Sequence, residues 1–167
     1  MKEILLKMLG IGVLTFGLLG CNNYTQELED AQHLVDVSQV HLVSAQPIRE
    51  VEAFNADKVH MSIGNLDGPN NTDVFNNTDE TLLLNESFVL EKEVDGMWFE
   101  VPLPEDFEFG ADGYILQPHS DTNLTTSVNA FFKLIPGNYR IRKEVIIDGA
   151  QGPENVVFDI FASFEVE

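Results

Sequence analysis

The sequence predicts an all-β protein whose strands form an antiparallel β-sandwich. Apolar and polar residues alternate with period two along much of the chain after Pro47, which is typical of half-buried strands. Clusters of Gly, Pro, Asn and Asp separate these segments and indicate turns. The pair Asp95-Gly96 lies between two strand-like segments and is a strong hairpin signal, because a type I′ turn needs positive φ at both central residues.

About seven strands account for this pattern in one domain, residues 47–167. The last strand has the clearest alternation, and Pro102 ends the strand after the hairpin because proline cannot donate to a ladder. Residues 64–71 are predicted to form a loop, and residues 76–79 and 117–120 form turns. In chain order the predicted strands are residues 59–63, 82–94, 97–101, 114–116, 122–128, 139–147 and 156–166.

The first twenty residues have the features of an export signal. Lys2 and Lys7 precede an apolar, uncharged stretch from Met8 to Leu19. These twelve residues would extend about 18 Å as a helix, which is short of the roughly 30 Å hydrocarbon core of a bilayer. The length favours a cleavable segment over a spanning helix, so residues 1–20 are interpreted as a signal peptide.

Leu18-Leu19-Gly20-Cys21 resembles the lipobox of bacterial lipoproteins, although Leu19 stands where a small residue is usual. The resemblance implies that Cys21 carries a diacylglyceryl thioether, with palmitate as a typical acyl group, and is the first mature residue. The protein would then be lipid-anchored at the cell membrane and face outside the cytoplasm. The alternative is an ordinary buried cysteine.

Residues 21–46 are interpreted as the lipidated N-terminus and a tether. Leu28, Ala31 and Leu34 have the spacing of a short amphipathic helix, whereas Val40 and Leu42 suit an extended strand. The sequence leaves both possibilities open.

The charge balance excludes some classes of partner. The 167 residues include 28 acidic and 9 basic side chains, for a formal charge of −19. Nucleic acid is therefore not an expected partner, because no basic stripe is present to displace counterions from phosphates. The single cysteine excludes an intrachain disulfide and a thiolate zinc cluster.

Five short motifs resemble, in their order, a bacterial immunoglobulin-like domain family that is found mainly in Gram-positive lipoproteins. They are Asn76-Asn77-Thr78, Phe88-Val89-Leu90-Glu91-Lys92, Asp95-Gly96-Met97-Trp98-Phe99, Ile115-Leu116-Gln117-Pro118 and Leu134-Ile135-Pro136-Gly137-Asn138-Tyr139-Arg140. The resemblance covers roughly residues 58–167. It departs from the family pattern in the loop-like segment before Asn76 and in His119, where glycine is usual. It implies an extracytoplasmic immunoglobulin-like sandwich and supplies no catalytic residues.

The motif residues are expected to be structural. Tyr139 follows the Pro136-Gly137 turn at a strand start, where its hydroxyl can bond back to the preceding backbone as in a tyrosine corner. Trp98 is expected to fill the core or its edge. Arg140 completes the same motif, and a binding role for these residues is the alternative.

No catalytic, metal-binding or cofactor-binding residues are predicted. Motifs for nucleophilic hydrolysis, zinc proteolysis or phosphate binding are absent from the sequence. A calcium site is a weaker alternative, because oxygen ligands gather between residues 65 and 73. Asn and Asp are also ordinary turn formers, which is the preferred interpretation. The residues concerned are Asn65, Asp67, Asn70, Asn71 and Asp73.

Together these observations predict a membrane-anchored lipoprotein with a non-catalytic binding or accessory domain. Its partners would be the membrane, through the lipid on Cys21, and an unidentified protein, peptide or envelope ligand. The alternative is a proteinase inhibitor that presents residues 102–107, a loop made cheaper to order on binding by Pro102 and Pro104. An enzyme is not expected.

Overall fold

A computed structural model of the protein describes residues 34–51, 54–64, 66, 71–104, 107–126, 128–148 and 156–167. All of them belong to one compact unit. The predicted signal peptide, Cys21 and the first part of the predicted tether lie outside the described residues.

The described residues form twelve strands and one short helix. The strands are β1 (Val35–Asp36), β2 (Val43–Ser44), β3 (Val59–Ile63), β4 (Asn71–Asn76), β5 (Thr81–Asn85), β6 (Val89–Val94), β7 (Met97–Val101), β8 (Gly113–Leu116), β9 (Ser120–Thr125), β10 (Phe132–Lys133), β11 (Gly137–Asp148) and β12 (Val157–Val166). Helix α1 (Val128–Phe131) has four residues, and no described helix is long and apolar enough to span a bilayer.

The larger sheet has seven strands arranged around β11. Its order is β2-β7-β6-β11-β5-β8, and β12 pairs along the other side of β11. The first part of β11 pairs with β6 and its last part with β5, and every pair in the sheet is antiparallel. The smaller sheet, β3-β4-β9, is also antiparallel, whereas β1 and β10 form a short parallel pair.

The core contains the inward residues of both sheets, as expected for strands whose side chains alternate. The smaller sheet contributes Val59, Met61, Val74 and Leu124. The larger sheet contributes Leu82, Leu84, Leu90, Val101, Leu116, Tyr139, Ile141, Val145, Ile147, Phe158, Ile160 and Ala162. The prediction of an all-β antiparallel sandwich is confirmed.

The predicted hairpin is also confirmed. Strands β6 and β7 pair antiparallel from Leu90–Val101 to Val94–Met97. Between them Asp95 has φ 52° and Gly96 has φ 77°, the positive values that a type I′ turn needs. Strand β7 ends directly before Pro102, because proline has no backbone N–H to donate to the ladder.

Several boundaries differ from the sequence predictions. The segment 82–94 is two strands, β5 and β6, that both pair with β11, because the chain leaves the sheet at the polar residues Glu86 and Ser87, which the prediction had included in one strand. Asn71 begins a strand, and Val128 begins α1 instead of ending a strand. Residues assigned to the tether supply β1, β2 and the buried Val37.

Candidate functional site

Tyr139 is the buried anchor of the turn that begins β11. Its hydroxyl donates to the carbonyl of Ile135 at 2.8 Å and accepts from the Ile135 amide at 3.3 Å and from Lys92 Nζ at 3.1 Å. A hydroxyl that bonds back to the backbone just upstream is the geometry of a tyrosine corner. The turn and the strand are therefore fixed to each other without a disulfide.

Gly137 is required in this turn for two reasons. Its φ of 145° lies where side chains are strained, and a Cβ atom there would collide with Lys92 Nζ. Lys92 is itself buried and donates to the carbonyl of Pro136 at 3.1 Å. A buried ammonium needs such acceptors, so the turn and the lysine depend on each other.

Trp98 lies on the outer face of the larger sheet instead of the core. The pairing of Leu90 with Val101 puts those two residues inward, and alternation then turns Trp98 outward. The Arg140 guanidinium lies 4.3 Å from the Trp98 ring centroid and 4.4 Å from that of Phe161. The half-buried Trp98 therefore packs against a cation on the outer face and does not enter the core, which was one of the two expected places for it.

Next to this stack lies a buried carboxylate. Glu91 is 0% exposed and pairs with Arg140 Nε through Oε2. Its Oε1 lies 3.4 Å from Arg142 Nη1 and has no hydrogen-bond donor among the described residues. Arg142 also pairs with Glu100 at 2.7 Å. We call Glu91, Glu100, Arg140 and Arg142 the charged ladder.

A segment that we call the strap, residues 45–50, crosses the charged ladder. It begins at the β7 edge, where the Ala45 amide donates to the Trp98 carbonyl at 3.2 Å. The Gln46 carbonyl then accepts from Arg142 Nη1 at 3.2 Å, so the strap passes over the ladder. This cover explains how a carboxylate on the outer face of a sheet is removed from water.

The strap is fastened at the β12 edge through Arg49. The Arg49 guanidinium donates to Asp159 Oδ1 at 2.6 Å and to Glu144 Oε2 at 2.7 Å. The backbones of Arg49 and Asp159 are joined as well, because the Asp159 amide donates to the Arg49 carbonyl at 2.9 Å. The hydrogen bonds that the guanidinium donates to Asp159 and then to Glu144 raise the pKa of Arg49.

Asn76 has a structural role that sequence reasoning missed. It is fully buried, and its Nδ2 donates to the carbonyls of Glu80 at 2.8 Å and Gln117 at 2.9 Å. Its Oδ1 accepts from the Thr78 amide at 3.0 Å. One amide thus joins two turns, and its position at the start of the predicted turn at 76–79 was the available signal.

His119 replaces the usual glycine of the resembling motif. Its φ is 50°, in the left-handed region that glycine enters most easily. The exposed ring lies 2.8 Å from Asp79 Oδ1. The position therefore keeps the backbone conformation that glycine would adopt.

A groove of about 620 Å³ lies between the strap and β12. Ile48, Val51 and Phe54 form one wall, and Phe158 and other β12 residues form the opposite wall. The Phe54 and Phe158 rings stack at 5.2 Å. A cavity of this size with mostly apolar walls is typical of a ligand site.

The opposite side of the sandwich holds an aromatic cluster above a buried lysine. Lys143, which is 2% exposed, donates to the carbonyls of Glu86 at 3.2 Å and Ser87 at 2.9 Å. Desolvation lowers the pKa of Lys143 to about 8, against the opposing effect of Glu86. The rings that pack together near it are Phe88, Phe107, Phe109, Phe131 and Phe132.

The described residues of the predicted inhibitory loop are held against the domain. Leu103 packs on the core, and the Phe107 ring lies 4.3 Å from the Phe131 ring. The Phe107 amide donates to the Pro104 carbonyl at 3.1 Å. Residues 105 and 106 lie outside the described residues.

The predicted calcium ligands are only partly described. Asn65, Asp67 and Asn70 lie outside the described residues, whereas Asp73 lies in β4 and accepts from Asn123 Nδ2 at 2.8 Å. No group of three or more His, Cys, Asp or Glu side chains with metal-binding geometry occurs in the described part of the chain.

The sequence from residue 54 to residue 165 matches the family model of the bacterial Ig-like domain. The chain belongs to this family. The match covers more than half of the chain and nearly all of the sandwich. No curated protein matches the chain.

The motifs that resemble the Ig-like domain family meet in space. Glu91 and Lys92 pair across β6 and β11 with Arg140 and Tyr139, and Trp98 stacks on Arg140. Asn76 connects the motif at 76–78 with the motif at 115–118. These residues hold the fold of the domain together, so they do not by themselves form a ligand site.

A second region of the outer face is apolar. The cross-strand pairs Ile115–Leu83, Leu83–Ile146 and Ile146–Val157 place one aliphatic residue on each of β8, β5, β11 and β12. None of the four belongs to the core of the Ig-like domain, and Ile115 is 64% exposed. We call Leu83, Ile115, Ile146 and Val157 the aliphatic row.

Proposed function

We propose that the protein is a bacterial lipoprotein that displays its Ig-like domain outside the cytoplasm as a non-catalytic binding or accessory module. One observation carries the proposal: Cys21 follows Gly20 just after the apolar stretch from Met8 to Leu19, upstream of the family match at residues 54–165. A lipidated cysteine at this place would leave the whole sandwich on the outer side of the membrane.

The physical chemistry of the anchor is consistent with this arrangement. A diacylglyceryl group supplies two acyl chains, and each buried CH₂ contributes about 0.8 kcal/mol, so one modification is sufficient for stable attachment. The formal charge of −19 opposes adsorption of the domain to an anionic lipid surface. The domain would therefore stand away from the bilayer, where its faces are accessible.

The groove supports the binding role. Its aromatic and aliphatic walls suit a ligand with an apolar body, and Glu50 and the half-buried His60 line it as polar partners. Because the strap forms one wall and Arg49 fastens the strap, the shape of the groove is fixed before a ligand arrives. Such preorganisation lowers the cost of binding.

Metabolic labelling with palmitate tests the anchor. Cells expressing the native chain should incorporate the label into the protein and retain it in the membrane fraction, whereas Cys21→Ala should lose both. Asn22→Ala, one residue further on, is the matched control and should be labelled and retained as the native chain is. Equal labelling and retention of Cys21→Ala would refute the anchoring proposal.

An uncharged environment-sensitive dye such as Nile red tests the groove. Ile48 is exposed at the groove, so Ile48→Asp should reduce the dye fluorescence without unfolding the protein. Val43→Asp, at an exposed apolar position in β2, is the control and should leave the fluorescence unchanged. Equal fluorescence in both variants would contradict a ligand site between the strap and β12.

The alternative of a proteinase inhibitor is tested with the same purified protein against a panel of proteinases. We expect no dose-dependent inhibition, because Leu103 and Phe107 hold the ends of the loop against the domain. Stoichiometric inhibition that Leu103→Gly removes would establish the inhibitor instead.

A further inference from the structure

Strand β8 is an outer strand of the larger sheet. It pairs with β5 on one side, and no described strand pairs with its other side. The strand is Gly113-Tyr114-Ile115-Leu116, without charge or proline. Sheet edges of natural proteins are usually protected by charged residues, by proline or by a covering segment. The absence of this protection at β8 therefore needs an explanation.

The alternation of backbone groups shows what this edge offers. The Asp159 amide points away from β11, toward the strap, and Val157 has the same orientation two residues earlier. The antiparallel pairs along the aliphatic row give the direction of the other backbone groups. The N–H and C=O of Ile146 point toward β5, those of Leu83 toward β11, and those of Ile115 away from β5. The N–H and C=O of Ile115, and those of Gly113, therefore face the open edge.

Parts of the other two edges of the larger sheet are covered. Strand β2 covers the edge of β7, and Arg49 in the strap occupies the edge of β12 at Asp159. At the β8 edge no described residue accepts from or donates to the outward groups of Gly113 and Ile115. The 64% exposed Ile115 ends the aliphatic row there, so an added strand would extend that row by one residue.

The surroundings of β8 are acidic. Asp112 directly precedes the strand, and the Glu86 carboxylate lies 3.4 Å from the Tyr114 hydroxyl. Desolvation and the charges of Glu86 and Asp112 raise the pKa of Tyr114.

Most basic side chains of the described residues are paired or buried, and the exposed Lys58 lies directly before β3. All three arginines form ion pairs, and Lys133 pairs with Asp36. Lys92 and Lys143 are buried on backbone carbonyls. The field that a partner meets at the β8 edge is therefore negative.

We propose that the β8 edge binds an extended cationic segment of a partner protein by strand addition. The segment would bond to Gly113 and Ile115 through its backbone, place an apolar side chain beside Ile115, and direct Lys or Arg toward Asp112 and Glu86. A second copy of the chain fits less well, because two chains of charge −19 repel each other. The inference rests on the proposed binding role and not on the anchor.

The test uses the full-length chain carrying Cys21→Ala and an alternating lysine–valine heptapeptide as the probe. Nuclear magnetic resonance titration should shift the amide signals of β8 and β5, and added salt should weaken binding. Ile115→Pro removes the outward N–H without touching the β5 ladder and should weaken binding by about tenfold or more. Ile115→Val keeps the N–H and should bind as the parent chain does.

A second pair of variants guards against misfolding of Ile115→Pro. Ile115→Lys adds a charge that repels the peptide and should also weaken binding, whereas Met97→Lys, at a 60% exposed position in the hairpin, should not. The melting temperature of each variant establishes that it is folded.

Three results would overturn the inference. They are peptide binding that neither Ile115→Pro nor Ile115→Lys changes, equal binding of an alternating glutamate–valine peptide, and a dimer without peptide that Ile115→Pro dissociates. The first would reject the edge while leaving a binding role elsewhere on the domain, and the palmitate experiment judges the anchor separately.

Discussion

The outer face of the larger sheet has two halves with opposite chemistry, although β11 runs through both. In one half, Arg140 and Arg142 belong to the charged ladder and lie near or under the strap. In the other half, four residues after Arg142, Ile146 belongs to the aliphatic row, which no described segment crosses. Charged side chains are thus covered and apolar ones are left toward solvent.

This inversion separates residues that hold the fold from residues available to a partner. Charged groups that are removed from water need partners of opposite charge or hydrogen-bond partners. The charged ladder accordingly joins β7, β6 and β11 and is hydrogen-bonded to the strap. Aliphatic side chains need no partners, and their exposure costs the hydrophobic free energy that a bound strand would recover. The covered half therefore specifies the structure, and the open half is the surface to examine for binding.

The largest expected effect is the loss of the buried carboxylate. Glu91→Gln removes the carboxylate that pairs with both Arg140 and Arg142 and leaves Arg142 paired with Glu100, and removal of one partner from a buried ion pair costs about 3–5 kcal/mol. Urea unfolding should show this decrease in the free energy of unfolding. Glu93→Gln, two residues along the same face and only half-buried, is the control and should change stability by about 0.5 kcal/mol or less.

If the two variants were equally stable, the charged ladder would have no larger role than an exposed ion pair. The distinction between a covered and an open half of the sheet would then be one of composition alone.

Lys143 extends the comparison to the inner face of the larger sheet. It directly follows Arg142 on β11, and its side chain points to the opposite face. Its folded-state pKa of about 8 is below its ordinary 10.5, so the unfolded chain binds more protons between these pH values. The stability of the protein should therefore rise as pH increases from 8 to 10.5, by about 3 kcal/mol at most. Below pH 8 Lys143 is charged in both the folded and the unfolded chain, so stability is reduced by the full cost of burying its ammonium group.

Lys143→Met is the reference for this measurement. Its free energy of unfolding should lack the lysine contribution over the same pH range, so the difference between the two proteins should change with pH. A constant difference would mean that the Lys143 ammonium is not desolvated in the folded protein.

Much of the fold could be predicted because the long strands carry their own pattern. The alternation in β11 and β12 and the Asp95-Gly96 turn are local, so they needed no knowledge of tertiary contacts. Lys143 was also detectable, since it occupies an apolar-side position between Ile141 and Val145. Successive side chains of a strand point to opposite faces of the sheet, so the sequence alone shows which residues of a strand share a face.

The remainder depends on contacts between distant segments. The two-residue strands β1, β2 and β10 are too short to show a period. Glu91 on a polar strand face is expected to be solvated, and its burial depends on Arg140, Arg142 and the strap, some forty residues earlier in the chain. Trp98 was expected in the core or at its edge, and its position outside the core depends on the contact that Arg140 offers there.

Arg49 tests whether the strap depends on its charged fastening. Arg49→Met keeps the approximate length of the side chain but removes its hydrogen bonds to Asp159 and Glu144. A hydrogen bond to a charged group contributes about 1.5–3 kcal/mol to stability. Because the Arg49 guanidinium is half exposed, we expect a loss near 2 kcal/mol, at the lower end of about 1.5–3. Faster hydrogen exchange at the Asp159 amide, which donates to the Arg49 carbonyl, should accompany it.

Lys133→Met is the control for Arg49→Met, since its partner Asp36 is on the surface, and it should leave the exchange of Asp159 unchanged. An Asp159 amide that stays protected in Arg49→Met would show that the backbone contact alone holds the strap.

The smallest effect is expected in the open half. Leu83→Thr replaces an aliphatic side chain that lies outside the core with a β-branched polar one suited to a strand, so we expect a change of about 0.5 kcal/mol or less in stability. Leu84→Thr, the next residue, points into the core and should cost about 2 kcal/mol or more. Thermal denaturation of the pair measures the difference between the faces of β5. If Leu83→Thr were as damaging as Leu84→Thr, the aliphatic row would already be covered within the folded chain, and the β8 edge would have no apolar surface to offer a partner.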